Sequence, residues 1–151
     1  MMKPSKKVAL ALEAVCDIAY HGGAEPVQSQ DIARRLDLPR RYLEQVMQQM
    51  VRAGILRGVR GPKGGYRLAR ERRRISIADV VAVVRSLDTQ SGDDEGKARS
   101  ALGEAVMQPF WGEIEAVVME RLQATTIEDL CHRGERLDVP SEAPRDVEFV
   151  I

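Results

Sequence analysis

The sequence predicts a mainly α-helical protein with one small β-hairpin wing and a long C-terminal helix. Three observations support this fold class. Apolar residues recur at intervals of three and four along several stretches, as they do in amphipathic helices. One glycine-rich stretch, residues 58–65, lies between two short segments typical of hairpin strands. A later helical stretch, after residue 107, contains the single tryptophan and one of the two phenylalanines.

The composition indicates one folded domain with an extension. The chain has 151 residues, of which 44% are hydrophobic and 30% charged, as in globular rather than disordered proteins. No run approaches the roughly 18 apolar residues of a membrane span. Glu13 and Asp17 interrupt the stretch in which a secretory signal would need an apolar run. We therefore expect a cytoplasmic protein without a membrane partner.

The charges are divided unequally along the chain, although they cancel overall. Residues 1–74 contain 16 Lys and Arg against 7 Asp and Glu, a net charge of +9. Residues 75–151 contain 7 against 16, a net charge of −9. This asymmetry predicts a nucleic-acid surface on the first half and a different role for the second.

The first predicted helix runs from a cap at Ser5 to about Ala19. The segment His21-Gly22-Gly23 ends it, and we interpret the histidine as a capping or solvated group. Pro26-Val27 is predicted to be a short extended segment that pairs with the hairpin.

Two helices joined by a tight turn follow. Ser29 is predicted to cap the first of them, which ends at Leu36, and Pro39 suits the first turn of the second, Arg40 to Ala53. Gly54 closes that helix. Five apolar residues of the second helix form one buried stripe: Leu43, Val46, Met47, Met50 and Val51. Its opposite face carries long hydrogen-bonding side chains: Arg40, Arg41, Glu44, Gln45 and Gln48.

The hairpin has a flexible basic tip, Gly61-Pro62-Lys63-Gly64-Gly65. Because glycine has no Cβ, this backbone can approach another surface closely. Arg60, Lys63 and Arg67 place positive charge around it, which suits a phosphate backbone or a narrow minor groove. An ordinary surface hairpin with solvated charges is the alternative. A nucleotide-binding phosphate loop is disfavoured, since the order Gly-x-x-x-x-Gly-Lys-Ser/Thr is missing.

Two helices followed by a basic hairpin make a winged helix-turn-helix, in which the second helix meets base edges. Three motifs closely resemble the bacterial Rrf2 family of winged-helix regulators, over roughly residues 5–87: Tyr42-Leu43-Glu44-Gln45, Arg52-Ala53-Gly54-Ile55-Leu56 and the hairpin from Val59 to Ala69.

The resemblance implies that the positions that read bases are Arg41, Tyr42, Glu44 and Gln45. Their chemistry fits at two positions, since Gln45 can pair with adenine and Glu44 can accept from a cytosine amine. Many relatives have small hydroxyl residues where this chain has Pro39, Arg40 and Arg41, which leaves the operator sequence open. The full predicted DNA-contacting set is Lys6, Lys7, Ser29, Arg40, Arg41, Tyr42, Glu44, Gln45, Arg60, Gly61, Lys63, Gly64, Gly65 and Arg67.

A capping box, Ser76-Ile77-Ala78-Asp79, opens a further helix through Leu87, which we expect to pack beside the first one. The polar segment 88–97 is predicted to be a mobile loop. In cluster-binding relatives this region supplies three cysteines to an iron–sulfur cluster. Here no cysteine lies between Cys16 and Cys131, so we predict no cluster and no other cofactor.

The cysteines and histidines do not predict a metal site. Cys16 lies on the apolar face of the first helix and is interpreted as core. Cys131 and His132 are adjacent on a short helix and so face different directions. An exposed, redox-active thiol at Cys131 stays open as an alternative.

The C-terminal half is predicted to contain a long helix from about Gln108 to Gln123, with Pro109 at its start. Its apolar face comprises Phe110, Trp111, Ile114, Val117, Val118 and Leu122. The resemblance implies that this face forms a two-fold dimer, and folding back onto its own domain is the alternative. A short helix from Thr126 is predicted to end at Gly134.

The predicted organisation is a DNA-binding domain over 1–87, a flexible loop and lead-in over 88–107, the dimerisation and final helices over 108–133, and an extended or disordered tail over 134–151. The predicted function is a homodimeric, sequence-specific DNA-binding regulator, by family habit a repressor, on a roughly palindromic operator. Alternatives are a regulator that senses a small molecule, a partner protein or oxidation of Cys131, and an adaptor that has lost DNA binding, against which the +9 charge argues. No nucleophile–base set, carboxylate pair or metal triad predicts an enzyme.

Overall fold

The computed structural model describes residues 4–23, 25–88 and 100–143. It is mainly helical with one antiparallel two-stranded hairpin, as predicted. The elements in chain order are α1 (Lys6–His21), α2 (Ser29–Leu36), α3 (Arg40–Arg52), β1 (Leu56–Val59), β2 (Gly65–Leu68), a 3-10 turn (Arg72–Arg74), α4 (Ile77–Asp88), a π-helical segment (Gly103–Met107), α5 (Gln108–Ala124) and α6 (Ile127–Arg136). None of the described helices is long and apolar enough to cross a membrane.

Helix α1 begins as predicted and ends two residues later. The Ser5 hydroxyl accepts a hydrogen bond from the Val8 N–H at 3.2 Å, which confirms the cap. At the other end, the Gly22 N–H donates to the Ile18 carbonyl at 2.8 Å. The helix therefore extends to His21, and that histidine lies in its last turn.

Helices α2 and α3 form the predicted pair, but Ser29 is not the cap of α2. Gln28 occupies the cap position without a side-chain hydrogen bond, and Ser29 is the first helical residue. The prediction is wrong because the Ser29 hydroxyl is taken up by Glu44, a partner 15 residues away on α3. The apolar stripe of α3 is buried except for Val51, which is half-buried. Gly54 follows with a φ of 76°, the left-handed conformation that suits a helix end.

The wing pairs Leu56 with Leu68 and Val59 with Gly65 in an antiparallel register. Val27 adds the predicted bridge to β2. Its N–H donates to the Tyr66 carbonyl at 2.9 Å, and the Tyr66 N–H donates back at 2.8 Å. These bonds tie the base of the wing to the segment that leads into α2.

Helix α4 starts at the predicted capping box. The Asp79 N–H donates to the Ser76 hydroxyl at 3.1 Å, and the Ser76 N–H donates to the Asp79 carboxylate at 3.0 Å. The helix packs against α1 as expected. Backbone bonds from Ile77 to Thr125 and from Ile127 to Ile75, both 2.9 Å, join the starts of α4 and α6. Helix α6 is thereby part of the same core as the helix-turn-helix.

The long helix begins earlier than predicted. Helical backbone starts at Ala101 and passes through the π-helical segment into α5 without a break. Pro109 lies inside this run, although its ring and missing N–H disfavour a regular α-helix there. The π segment resolves the conflict, since the Gln108 N–H donates to the carbonyl of Gly103, five residues back. The predicted flexible lead-in is thus helical over 101–107, and the predicted loop at 89–97 lies outside the described residues.

Helix α6 does not end at Gly134 but continues to Arg136. Gly134 has a packing role instead, because a Cβ at this position would lie 2.9 Å from Cε2 of Tyr20. The glycine therefore permits close approach of α6 to α1. The Thr126–Asp129 capping box at the start of α6 closes with bonds of 2.9 and 3.1 Å.

The chain after α6 is docked rather than disordered over residues 137–143, which we call the C-terminal strap. The Tyr20 hydroxyl donates to the Val139 carbonyl, and the Ser141 hydroxyl donates to the Tyr20 carbonyl at 3.0 Å. The Glu142 N–H donates to Nδ1 of His21 at 3.0 Å. Of the tail predicted to be extended or disordered, residues 134–136 belong to α6 and residues 137–143 form this docked segment without helix or strand, while residues 144–151 lie outside the described structure.

Candidate nucleic-acid interface

The first turns of α3 and the wing frame one open groove. Its volume is about 630 Å³, and its walls include Ser29, Arg40, Gln48 and the wing residues 58–62 and 64–66. On the α3 side, the exposed residues are Arg40, Arg41, Tyr42, Gln45 and Gln48, whereas Glu44 is half-buried. Of these α3 residues, Arg40 and Gln48 line the groove. The predicted base-reading residues Arg41, Tyr42 and Gln45 are exposed on α3 but are not among the walls of the groove.

The wing tip keeps its shape because three glycines are required there. Gly61 has a φ of 115°, which strains any residue with a Cβ. A Cβ at Gly64 would lie 2.3 Å from the Val59 carbonyl oxygen, and one at Gly65 would lie 2.2 Å from that of Val27. The backbone at the tip is therefore bare, and the side chains of Arg60 and Lys63 are exposed beside it.

Helix α3 and the wing are in direct contact. Nε2 of Gln48 donates to the Tyr66 hydroxyl at 3.4 Å, and Tyr66 is otherwise buried against the core. On the outer face of the hairpin, Arg57 and Arg67 are opposite each other in the register. Arg57 is exposed and lies outside the set of residues that the sequence predicts to contact DNA.

A polar cluster links the two helices of the helix-turn-helix. Nε of Arg40 donates to the Ser29 hydroxyl at 3.1 Å and to Oε1 of Glu44 at 3.1 Å. The Ser29 hydroxyl in turn donates to the same Oε1 at 3.3 Å. Sequence reasoning missed this cluster, since Ser29 was interpreted as a cap and Glu44 as a base-reading residue.

The remaining predicted contacts, Lys6 and Lys7, lie in the first turn of α1 and do not line the groove. Lys6 is exposed and Lys7 half-buried. They extend the positive surface rather than complete the groove.

The predicted dimerisation face on α5 is largely uncovered within the chain. Phe110, Trp111, Val117 and Val118 are 45%, 53%, 65% and 42% exposed. Ile114 and Leu122 are half-buried, and α5 packs on α4 along this side. Leu102, Val106 and Met107, also exposed, extend the apolar surface by two turns toward the N-terminus. The sequence prediction missed these three because it began the helix at Gln108.

A second charged cluster lies away from the groove, where the strap meets α1 and α2. Arg35 donates to both carboxylate oxygens of buried Asp17, at 2.8 to 3.2 Å, and to Glu142 at 2.6 Å. Arg34 also contacts Glu142, at 2.8 Å. Burial, and then Arg35, lower the pKa of His21, while hydrogen bonds from Arg34 and Arg35 lower that of Glu142.

The two cysteines line one cavity of about 320 Å³ between α1, α6 and the strap. Cys131 is only 2% exposed, so the alternative of an exposed redox thiol is wrong. Burial raises the pKa of both thiols, that of Cys16 to about 12, which disfavours the reactive thiolate.

Comparison with known proteins places these features in context. Residues 4–133 match the Rrf2 family, described as iron-dependent transcriptional regulators. The HTH-type transcriptional regulator IscR of Vibrio campbellii is 30% identical, over 97% of this chain and 87% of its own length. The solved structure of T. potens IscR superimposes with a TM-score of 0.73 at 30% identity, covering 93% of each chain. The solved structure of CymR, the global cysteine regulator of B. subtilis, superimposes with a TM-score of 0.69 at 29% identity, covering 88% of this chain and 98% of the CymR chain.

The family description implies iron, and the donor set of this chain does not fit a cluster held by cysteine. The whole sequence contains two cysteines and two histidines, whereas the common clusters take four thiolates. Cys16 on α1 and Cys131 on α6 line the same cavity, and Cys131 is fully buried. Within the described ranges, no group of three or more His, Cys, Asp or Glu side chains is arranged to hold a metal ion.

Proposed function

The chain belongs to the Rrf2 family of transcriptional regulators, and from this membership we propose that it acts as a homodimer on a roughly palindromic DNA operator. Each α3 enters a major groove, and each wing lies along the adjacent minor groove. Its relatives are named as regulators and not as enzymes, and no catalytic activity is assigned to it.

The observation that carries the proposal is the groove between α3 and the wing. It joins an exposed polar helix face to a bare, cationic backbone, the two surfaces that read bases and grip phosphate. Gln45 is exposed on α3, and its amide has the donor and acceptor that pair with adenine N7 and N6. The glycines of the tip let the wing backbone approach the duplex, and Arg60 enters the minor groove beside them.

Dimerisation through α5 supplies the two-fold symmetry. A single chain leaves an apolar surface that includes Trp111 and Val117 in water, and a second copy would bury it. Two recognition helices then face half-sites about 34 Å apart, one turn of B-form DNA. Bound in this way in the cytoplasm, the dimer would repress by occluding the promoter.

The effector that controls DNA binding can be proposed only by its chemical class. The cysteine content disfavours an iron–sulfur cluster, and burial disfavours oxidation of Cys131. A small molecule or a partner protein is the class of effector that we propose.

The test starts with selection of bound sequences from a random duplex library by the purified wild-type protein. We expect a two-fold symmetric sequence to be enriched. Arg60→Ala is expected to weaken binding to it about tenfold and to lower the slope of log affinity against log salt by about one, because one cation leaves the interface.

The matched control is Arg136→Ala, which removes an exposed arginine from α6 without touching the groove. We expect its affinity to equal that of the wild type. Failure to enrich any sequence, or equal affinity of Arg60→Ala and wild type, would overturn the proposal.

A further inference from the structure

The cluster of Ser29, Arg40 and Glu44 lies at the N-terminal end of α3. One oxygen of Glu44, Oε1, accepts from the Ser29 hydroxyl at 3.3 Å and from Nε of Arg40 at 3.1 Å. Ser29 is 8% exposed, so the cluster rests on a residue held by the core. It joins the first turn of α2 to the first turn of α3, which are the two helices of the helix-turn-helix.

These contacts use only the Nε atom of the Arg40 guanidinium. Its Nε donates both bonds, and neither Nη atom has a partner among the described residues. A guanidinium carries five N–H donors in a planar fork, so four remain available at an exposed position. Arg40 lines the groove shared with the wing backbone.

Stability does not account for this arrangement. The Arg40 and Glu44 side chains are 60% and 43% exposed, and exposed ion pairs of this kind contribute little to the free energy of unfolding. The order is also the weaker one on a helix, since the acidic residue follows the basic residue by four positions. The cluster therefore is better explained by what it presents to a ligand.

Electrostatics distinguishes two roles for Glu44. A bare carboxylate on a DNA-facing helix repels phosphate, and this one is neutralised by Arg40. A carboxylate that reads a cytosine amine would need its oxygens directed at base edges, whereas Oε1 is already occupied by two donors within the protein.

We propose that Ser29 and Glu44 are positioning residues that hold Arg40 as a preformed phosphate-binding group in the groove between α3 and the wing. Arg40 in turn compensates the negative charge of Glu44, which would otherwise repel the DNA phosphates. The inference rests on the proposed function. It assigns the DNA phosphate backbone between the major and minor grooves as the ligand of this cluster.

A double-mutant cycle tests the coupling, with affinity measured by fluorescence anisotropy on the selected operator at several salt concentrations. Arg40→Ala is expected to weaken binding about tenfold or more and to lower the salt slope by about one. Adding Glu44→Ala to that variant is expected to recover at least about threefold, because the uncompensated carboxylate is removed. Glu44→Ala alone is expected to weaken binding less than Arg40→Ala, since Arg40 keeps its charge but loses its fixed orientation.

Arg41→Ala is the matched control, because Arg41 is the next residue of the same helix and has no contact with Ser29 or Glu44 among the described bonds. Its effect is expected to add to that of Glu44→Ala. Thermal unfolding of every variant, followed by circular dichroism, should stay within a few degrees of wild type, which separates positioning from folding.

Two results would overturn the inference. One is a double variant that binds the operator more weakly than Arg40→Ala, so that the fold-losses in affinity of the two single variants multiply. The other is a change of preference at a single base pair when Glu44 is replaced in the Arg40→Ala background, which would make Glu44 a base-reading residue. If the wild type enriches an operator and the cycle is additive, only this inference fails; if it enriches none, the proposed function fails first.

Discussion

At the scale of single residues, glycines determine where the wing can go. Gly64 and Gly65 each face a backbone carbonyl at a distance that leaves no room for a Cβ. Gly58, on the other strand of the same hairpin, has open space around the position of a Cβ. The need for glycine is therefore local to the tip and to the start of β2.

Gly65→Ala is expected to lower the free energy of unfolding by about 1–3 kcal/mol, because the new methyl group would meet the Val27 carbonyl oxygen and force the Val27–Tyr66 bridge apart. Urea denaturation measures the change. DNA affinity is expected to fall with it, since the wing loses its anchor to the segment before α2.

Gly58→Ala is the matched control within the hairpin, and we expect its unfolding free energy to stay within about 0.5 kcal/mol of wild type. Equal losses in the two variants would show that general hairpin propensity, and not the close approach at Gly65, is responsible.

At the scale of elements, the C-terminal strap joins the acidic half of the chain to α1 and α2. Its Glu142 carboxylate contacts Arg34 and Arg35, and its Glu142 N–H needs an unprotonated Nδ1 on His21. The charged groups that face His21 are Asp17, Arg34, Arg35 and Glu142. The docking of the strap is therefore linked to the protonation of one histidine.

The protein is expected to lose stability as the pH falls. The pKa of His21 is lowered from its ordinary 6.5, chiefly by burial, so below that pH the unfolded chain binds more protons than the folded one. The stabilisation is complete above the unfolded pKa and declines as the pH falls toward the lower folded value. The pKa of Glu142 is also lowered, chiefly by Arg34, and its contribution is lost at still lower pH.

Thermal unfolding between about pH 7 and about pH 5.5 measures this effect. His21→Ala should be less stable than wild type at the higher pH, and its melting temperature should fall less than that of wild type on acidification. His132→Ala removes the exposed histidine of α6, and its melting temperature should fall as much as that of wild type over the same pH range. An unchanged pH dependence in His21→Ala would contradict the assignment.

At the scale of the whole molecule, the exposed apolar face of α5 is the surface through which we propose that two copies associate. Val117 is 65% exposed and lies among the other apolar side chains of this helix. Placing a charge there would leave an unpaired carboxylate buried in the proposed interface, which is strongly unfavourable.

Val117→Glu is expected to convert a dimer into a monomer of 16.8 kDa, as measured by light scattering after gel filtration. Affinity for the full operator should drop by about a hundredfold, since the two half-sites are then bound independently. Ala116→Glu, which adds the same charge one residue away and outside the apolar face, should remain dimeric. A wild-type monomer, or a dimeric Val117→Glu protein, would refute dimerisation through this surface.

The sequence by itself determined the features that depend on neighbouring residues. The cap at Ser5, the Ser76–Asp79 box and the apolar stripe of α3 all follow from residues three to eight positions apart, and the structure has each of them. The glycine-rich tip belongs to the same class, because backbone freedom is a property of the residue itself. Together with the motifs, these local patterns predicted the fold class and the family.

Only the tertiary structure decided the features that depend on partners far along the chain. Ser29 binds Glu44 instead of capping α2, Cys131 is buried against α1, and Glu142 pairs with Arg34 across 108 positions. No periodicity in a sequence encodes which distant side chain will lie within 3 Å of another. Such contacts form only when packing of the core has set the helices against one another, which is why the strap and the Arg40 cluster became visible in the folded chain alone.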